Sequence, residues 1–287
     1  MRCFLKSVSV LLLTISLVPG PASARAAEAT RKHHPWATFS PGAWRQVRVY
    51  TKVFDKDGKV VDTGVTEKTT TLEKVDDHGV TLQVEESVWG AGKWLDGQPA
   101  TVKQGIYGES EGQKATIKDL EPEMLVIEGR KIPCGIRQVE VADANNKRLQ
   151  VSKLYFNDDV APFVLKRETT IKDLGEKAVL SESKTSVNAL RMPCLGPDEL
   201  FTAAHLRATT KHARGMTVTL AYTSAEVPGG IVRQCTKKVD KENRLVEQCV
   251  LELTDYGLTA ADKPRRRLFP LRSRESRKRA GRRNPDK

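Results

Sequence analysis

The sequence lacks a second long apolar run. Its one such run, Ser7 to Val18, is shorter than the roughly 20 residues a helix needs to span a bilayer, and no later segment is longer. No C-x-x-C pair accompanies the five cysteines, and the five histidines form no ligand cluster, so a zinc site of familiar spacing is excluded. Ser224 sits outside any Gly-x-Ser-x-Gly elbow, and His205 and His212 have no acid and nucleophile beside them in a recognisable motif. Gly90 and Gly92 lack the order of a phosphate loop. The sequence therefore implies no catalytic residue, no metal and no cofactor. Glu109 and Glu111 read as a solvated polar stretch, not a glycosidase pair. His33-His34 and Trp36 read as part of an exposed terminal arm.

A basic body is missing too. The formal charge is +12, but residues 264 to 287 hold eleven Lys/Arg against Glu275 and Asp286, and Arg2, Lys6 and Arg25 lie at the start. Residues 27 to 263 are neutral, which argues against a nucleic-acid surface.

What is present begins with a leader. Arg2 and Lys6 precede the apolar run, Pro19-Gly20-Pro21 breaks it, and Ala22-Ser23-Ala24 offers small-x-small cleavage. Residues 1–26 read as a secretory signal peptide, which predicts a periplasmic or secreted protein with no transmembrane segment after cleavage. Residues 27–41 then read as an N-terminal arm and 42–123 as a β-meander. Val47, Val49 and Val53 share one alternate set, and Val80, Leu82 and Val84 repeat the two-residue period.

Two later units are related. Tyr155, Asp159, Val160 and Lys166 return 67 residues on as Tyr222, Glu226, Val227 and Arg233, each around a Pro-bearing turn. A Pro-Cys marker precedes each, Pro133-Cys134 and Pro193-Cys194. We place the first unit at 124–178 and the second at 179–260. A repeated sheet corner explains the recurrence better than a repeated ligand loop, because the glycines of the second copy are missing from the first. Pro197-Asp198-Glu199 resembles a helix start, predicting one short helix over Leu200–Leu206. The fold class is mainly β, with a large curved antiparallel sheet or open half-barrel, an internal duplication and that one helix.

Four cysteines follow the leader, and an even number in an exported chain favours disulfides. Residues 231–239 and 245–253 read as hairpin arms. With Val239 opposite Leu245, a one-for-one count along both arms brings Cys235 opposite Cys249. That predicts a Cys235–Cys249 bridge and, by elimination, Cys134–Cys194.

Residues 261–287 read as a disordered basic tail, with Arg265, Arg266, Arg267, Arg277, Lys278, Arg279, Arg282 and Arg283 as polyanion-binding positions. Export makes an anionic envelope polymer or lipid the natural partner, and nucleic acid an unlikely one.

With leader, meander and twin Tyr-acid-Val-turn-aliphatic-base units in hand, the chain resembles uncharacterised secreted proteins of planctomycete-type bacteria. Its strand pattern also resembles, in topology, the open half-barrel of periplasmic lipoprotein carriers of the LolA and LppX kind. That second resemblance implies a concave apolar surface carrying an acyl chain or a lipoprotein. The expected function is an exported envelope binding or carrier protein for an apolar ligand or lipidated partner. The alternative is a structural or adhesion protein docked to anionic surfaces by its tail, with a hydrolase far behind.

Overall fold

Threonine and valine alternating with charged residues cannot bury a helical stripe, but they suit a sheet with one packed and one wetter face. The structure, a computed structural model, describes residues 31–113, 115–143, 145 and 147–262; the leader at 1–26 and the cationic run from Arg265 to Arg283 lie outside the described residues. Among the described residues the strands are β1 (Trp44–Phe54), β2 (Val60–Asp76), β3 (Gly79–Gly90), β4 (Lys93–Asp96), β5 (Ala100–Gly105), β6 (Ala115–Ile127), β7 (Arg130–Ala142), β8 (Arg148–Phe156), β9 (Val164–Asp173), β10 (Val179–Leu195), β11 (Leu200–His212), β12 (Gly215–Thr223), β13 (Ile231–Val239) and β14 (Leu245–Gly257).

All pair antiparallel in one sheet, ordered β4-β3-β2-β1-β14-β13-β12-β11-β10-β9-β8-β7-β6, with β5 also on β3. Neighbours in space are neighbours in sequence along this path, except that β1 joins β14 and so ties the first meander to the repeated units. The β3–β5 end does not pair with β6, so the sheet is open. Ala260–Asp262 forms a single 3-10 turn. No helix among the described residues is long and apolar enough to cross a membrane.

The sheet curls because one core cluster draws its two ends together. Leu72 and Leu82 from β2 and β3 share that cluster with Val139 and Leu154 from β7 and β8, and Trp36 lies among them. A second cluster centres on Ile136, Tyr155, Leu165 and Val187. A third gathers Val47, Phe201, Val227, Val232 and Leu253.

Between these clusters the same face is not apolar. Register sets Thr51, Cys249, Thr236, Thr219, Ala208 and Thr185 side by side across six strands, each half-buried. Hydroxyls meet on this face, Thr219 with Thr236 and Ser152 with Thr169, each at 3.0 Å. The apolar concavity implied by the carrier resemblance is thus replaced here by small and hydroxylated side chains.

Two expectations are corrected. The helix over Leu200–Leu206 is the start of β11. Pro197-Asp198-Glu199 serves a hairpin turn instead, with Gly196 N–H donating to Glu199 O at 2.8 Å and Leu195 opposite Leu200. Phe201 and Ala203 are buried while Leu200 and Thr202 are exposed, a period of two that favours a strand.

The disulfides are also absent: Cys134, Cys194, Cys235 and Cys249 are all free, with no pair at bridging distance. The hairpin of β13 and β14 does form, and Val239 does face Leu245, but Lys238 faces Glu247. Val246 is the extra residue of a bulge, and it moves every later pair by one position. Cys235 therefore opposes Val250, Cys249 opposes Thr236, and the two thiols lie on opposite faces. Cys134 packs in the second cluster and Cys194 in the third. Burial pushes the Cys134, Cys194 and Cys249 thiols up, which disfavours the nucleophilic thiolate. Peptide mapping after alkylation in denaturant, without reductant, should find all four labelled; a 235–249 or 134–194 linked peptide would contradict the register described.

Candidate functional site

The repeated residues build two corners with the same hydrogen bonds. Tyr155 faces Lys166 across β8–β9, and Tyr222 faces Arg233 across β12–β13. In each, a bulge follows at once, and its extra residue, Leu165 or Val232, is buried. Asn157 N–H donates to Phe163 O and Ser224 N–H to Gly230 O, both at 2.8 Å. Phe163 N–H donates to Val160 O at 2.8 Å, and Gly230 N–H to Val227 O at 2.7 Å. Asp159 N–H is capped by the Asn157 side chain, and Glu226 N–H by Ser224 Oγ. Phe163 has φ of 69° where the second copy has Gly230 at 77°. The left-handed turn is thus kept although the first copy fills it with a side chain that disfavours it.

The side chains serve structure in both corners. Val160 packs on the second cluster and Val227 is fully buried in the third. Lys166 Nζ lies 4.2 Å from the Tyr155 ring centroid and 2.9 Å from Glu168, while Arg233 pairs with Glu252 at 3.0 Å. Asp159 and Glu226 are exposed.

Both corners meet the segment before β1, which is not an exposed arm. His34 and Trp36 are each 4% exposed. His33 Nε2 lies 3.2 Å from Asp158 Oδ1 of the first corner, and its ring packs on Phe156 at 4.4 Å. Pro35 O accepts from Gly229 N–H of the second corner at 3.0 Å. Arg45 from β1 donates to Gly229 O at 3.0 Å and lies over the Trp36 ring at 5.3 Å. Loss of water around Arg45 pulls its guanidinium down to about 10, which still leaves it charged at neutral pH. Arg31 reaches Asp77 in the β2–β3 turn at 2.5 Å. One short segment therefore touches the β2–β3 turn of the meander and both repeated corners. The sequence signal was Trp36 in an otherwise polar stretch, but a terminal position masked it.

Beside this segment lies a cleft of about 810 Å³, at the seam where the open sheet fails to close. Asp76–Thr81 form one wall, Lys103–Gln113 the next, and Ala115, Ile117 and Arg137 the third. Val80, Ile106, Tyr107 and Ile117 give it apolar surface, and Asp76, Asp77, Lys103, Glu109, Glu111 and Arg137 give it charge. Arg137 is held by Asp119 at 2.7 Å and the Tyr107 hydroxyl at 2.8 Å. Arg167, behind it, donates to Tyr107 O at 2.9 Å. Gln104 joins the cleft to the inserted segment through His34 at 3.4 Å. Glu109 and Glu111 do share this cleft; Glu109 accepts from Tyr107 N–H at 2.9 Å and Glu111 pairs with Lys103 at 2.6 Å. Among the described residues no three His, Cys, Asp or Glu side chains gather to hold a metal.

No protein-family model matches the chain, and no curated protein matches it in sequence. Among solved structures, one similar chain is a Bacteroides fragilis NCTC 9343 protein described as exported and YmcC-like in fold. It has 11% identity and a TM-score of 0.30, with 76% of this chain and 97% of that one covered. Another is a Thermobifida fusca YX protein described as a thioesterase II, with 11% identity and a TM-score of 0.14, covering 73% of this chain and 80% of that one. Neither superposition is close enough to bear on fold or function. The planctomycete-type and carrier resemblances gain nothing from them.

Two predictions follow from the inserted segment. Trp36→Ala should lower unfolding free energy by about 3–5 kcal/mol, as for other buried large aromatics; urea melts showing less than about 1 kcal/mol would place Trp36 outside the core. Burial lowers the pKa of both His33 and His34, against the opposing contacts with Asp158 and Gln104 respectively. The unfolded chain then takes up protons first, so this stability is whole above about 6.5 and is lost as pH falls below it. Melting temperature should drop between pH 7.5 and pH 5, and His33→Gln/His34→Gln should flatten that slope.

Proposed function

We propose that this chain is an extracytoplasmic, non-catalytic binding protein that holds an extended peptide segment of a partner at the seam. The leader-like sequence supports the compartment. The observation that carries the binding mode is the cleft's position between two strand edges. Among the described residues β6 pairs only with β7, and β5 only with β3 apart from one bridge from Gln104 to Ser110. An unpaired edge offers N–H and C=O groups at strand spacing, and an incoming strand satisfies them while alternate side chains fill the groove. Ile117, exposed on β6 and lining the cleft, is the apolar contact for such a side chain. Pro122, at the β6 irregularity between Leu120 and Glu123, limits pairing to the stretch nearest the cleft.

The acyl-carrier version of this function is less well supported. A bare hydrocarbon chain in the cleft would strip water from the charged groups around it and return no hydrogen bonds. A polypeptide returns them, so the partner is read as protein, lipidated or not.

Peptides selected from a random displayed library on the folded protein should lose about tenfold in affinity, about 1.4 kcal/mol, when alternate backbone nitrogens are methylated. Ile117→Lys should weaken them to a similar degree. Binders indifferent to both changes, or a library that yields none, would count against strand addition.

A further inference from the structure

Two of the four tryptophans are in the core: Trp36 and Trp44 are 4% and 1% exposed. The other two, Trp89 and Trp94, face each other across the β3–β4 hairpin on the outer side of the sheet. They stand edge to face, with ring centroids 5.4 Å apart and planes at 66°. Arg48 on the same side lies 5.9 Å from the Trp94 centroid. Tyr50 shares that side of β1, and register carries the row on through Val250, Cys235 and Leu220. Trp89 is 36%, Tyr50 38% and Leu220 43% exposed. The result is an aromatic and aliphatic stripe whose members belong to no core cluster, with Val250 and Cys235 half-buried along it.

Its flanks are charged unequally. On one side Arg48 pairs with Glu67 and Arg233 with Glu252, and Asp96 follows in the same row, so that flank carries no excess of positive charge. On the other, Lys52 and Lys237 stand two positions along their strands from Tyr50 and Cys235, both exposed, and Lys93 sits at the hairpin tip. We propose that this outer face docks on an anionic lipid surface. Tryptophan and tyrosine settle at the headgroup level of a bilayer, where an apolar ring and a polar edge are both accommodated. Lysines beside them are drawn to anionic headgroups. The stripe fits a sugar polymer less well, because its two indoles are not coplanar and Arg48 crowds one of them. The proposal does not depend on the seam, which lies elsewhere on the molecule.

The test uses the full chain and large vesicles of phosphatidylcholine with and without about a third phosphatidylglycerol. The protein should sediment with the anionic vesicles, and lipids brominated on the acyl chain should quench its tryptophan emission. Trp89→Ser/Tyr50→Ser should cut partitioning about tenfold and abolish most quenching with the melting temperature kept. Lys52→Glu/Lys237→Glu should cut it similarly at low salt and less at high salt. If the arginine-rich C-terminal run alone drives binding, the stripe variants will partition like the parent without quenching, and the proposal falls. It also falls if the chain ignores anionic vesicles, whether or not it self-associates or binds a polysaccharide.

Discussion

The fold depends on thirteen residues that belong to no strand. The segment from Arg31 to Ala43 inserts Trp36 and Ala37 among side chains of β2, β3, β7 and β8. An open sheet of this length has two unpaired ends and a natural twist but nothing in its ladders to set how far it curls. Apolar burial against Trp36 supplies that constraint, and hydrogen bonds at Asp158 and Gly229 and an ion pair at Asp77 fix the segment at three places around the curl. The seam cleft exists because the ends are drawn near each other without pairing.

The duplicated corners make sense within that constraint. Each turns the chain with the same hydrogen bonds and buries one bulge residue beneath it. Each also presents its tip to the inserted segment, by the Asp158 side chain in the first copy and by backbone at Gly229 in the second. A turn repeated for a ligand would keep its polar side chains turned toward one space. Here the acids Asp159 and Glu226 point to solvent, and the aliphatic residues after them point to two different clusters. The repeat keeps a way of turning the sheet.

Much of this was legible in the residues. Two-residue periods along β1 and β3 read directly as strands, residues 231–239 and 245–253 read as hairpin arms, and the recurrence of Tyr, acid, Val and base marked the paired corners. Three things were not. A bulge adds one residue without changing composition, so Val246 gave no warning that it would carry Cys235 and Cys249 to opposite faces. Pro-Asp-Glu serves a helix start and a hairpin turn alike, and only the alternating burial of Phe201 and Ala203 separates them. His33 and His34 meet partners seventy residues or more away, and Trp36 packs on Leu72, Val80, Leu82, Val139 and Leu154, contacts that no local pattern encodes. The seam cleft was hidden for the same reason, since its walls come from the β2–β3 turn, β5 and the loop after it, β6 and β7.

Hydrogen exchange in Gly229→Ala tests the central claim most directly. At Gly229, with φ of 74°, an added Cβ would come within 2.7 Å of the Trp36 ring, so the substitution presses the inserted segment out of its seat. The account predicts faster exchange in residues 31–43, at both corners and along β5 and β6, with β10 to β12 still protected. Exchange that quickens only around residues 224–231, leaving the first corner and the seam as slow as before, would contradict it.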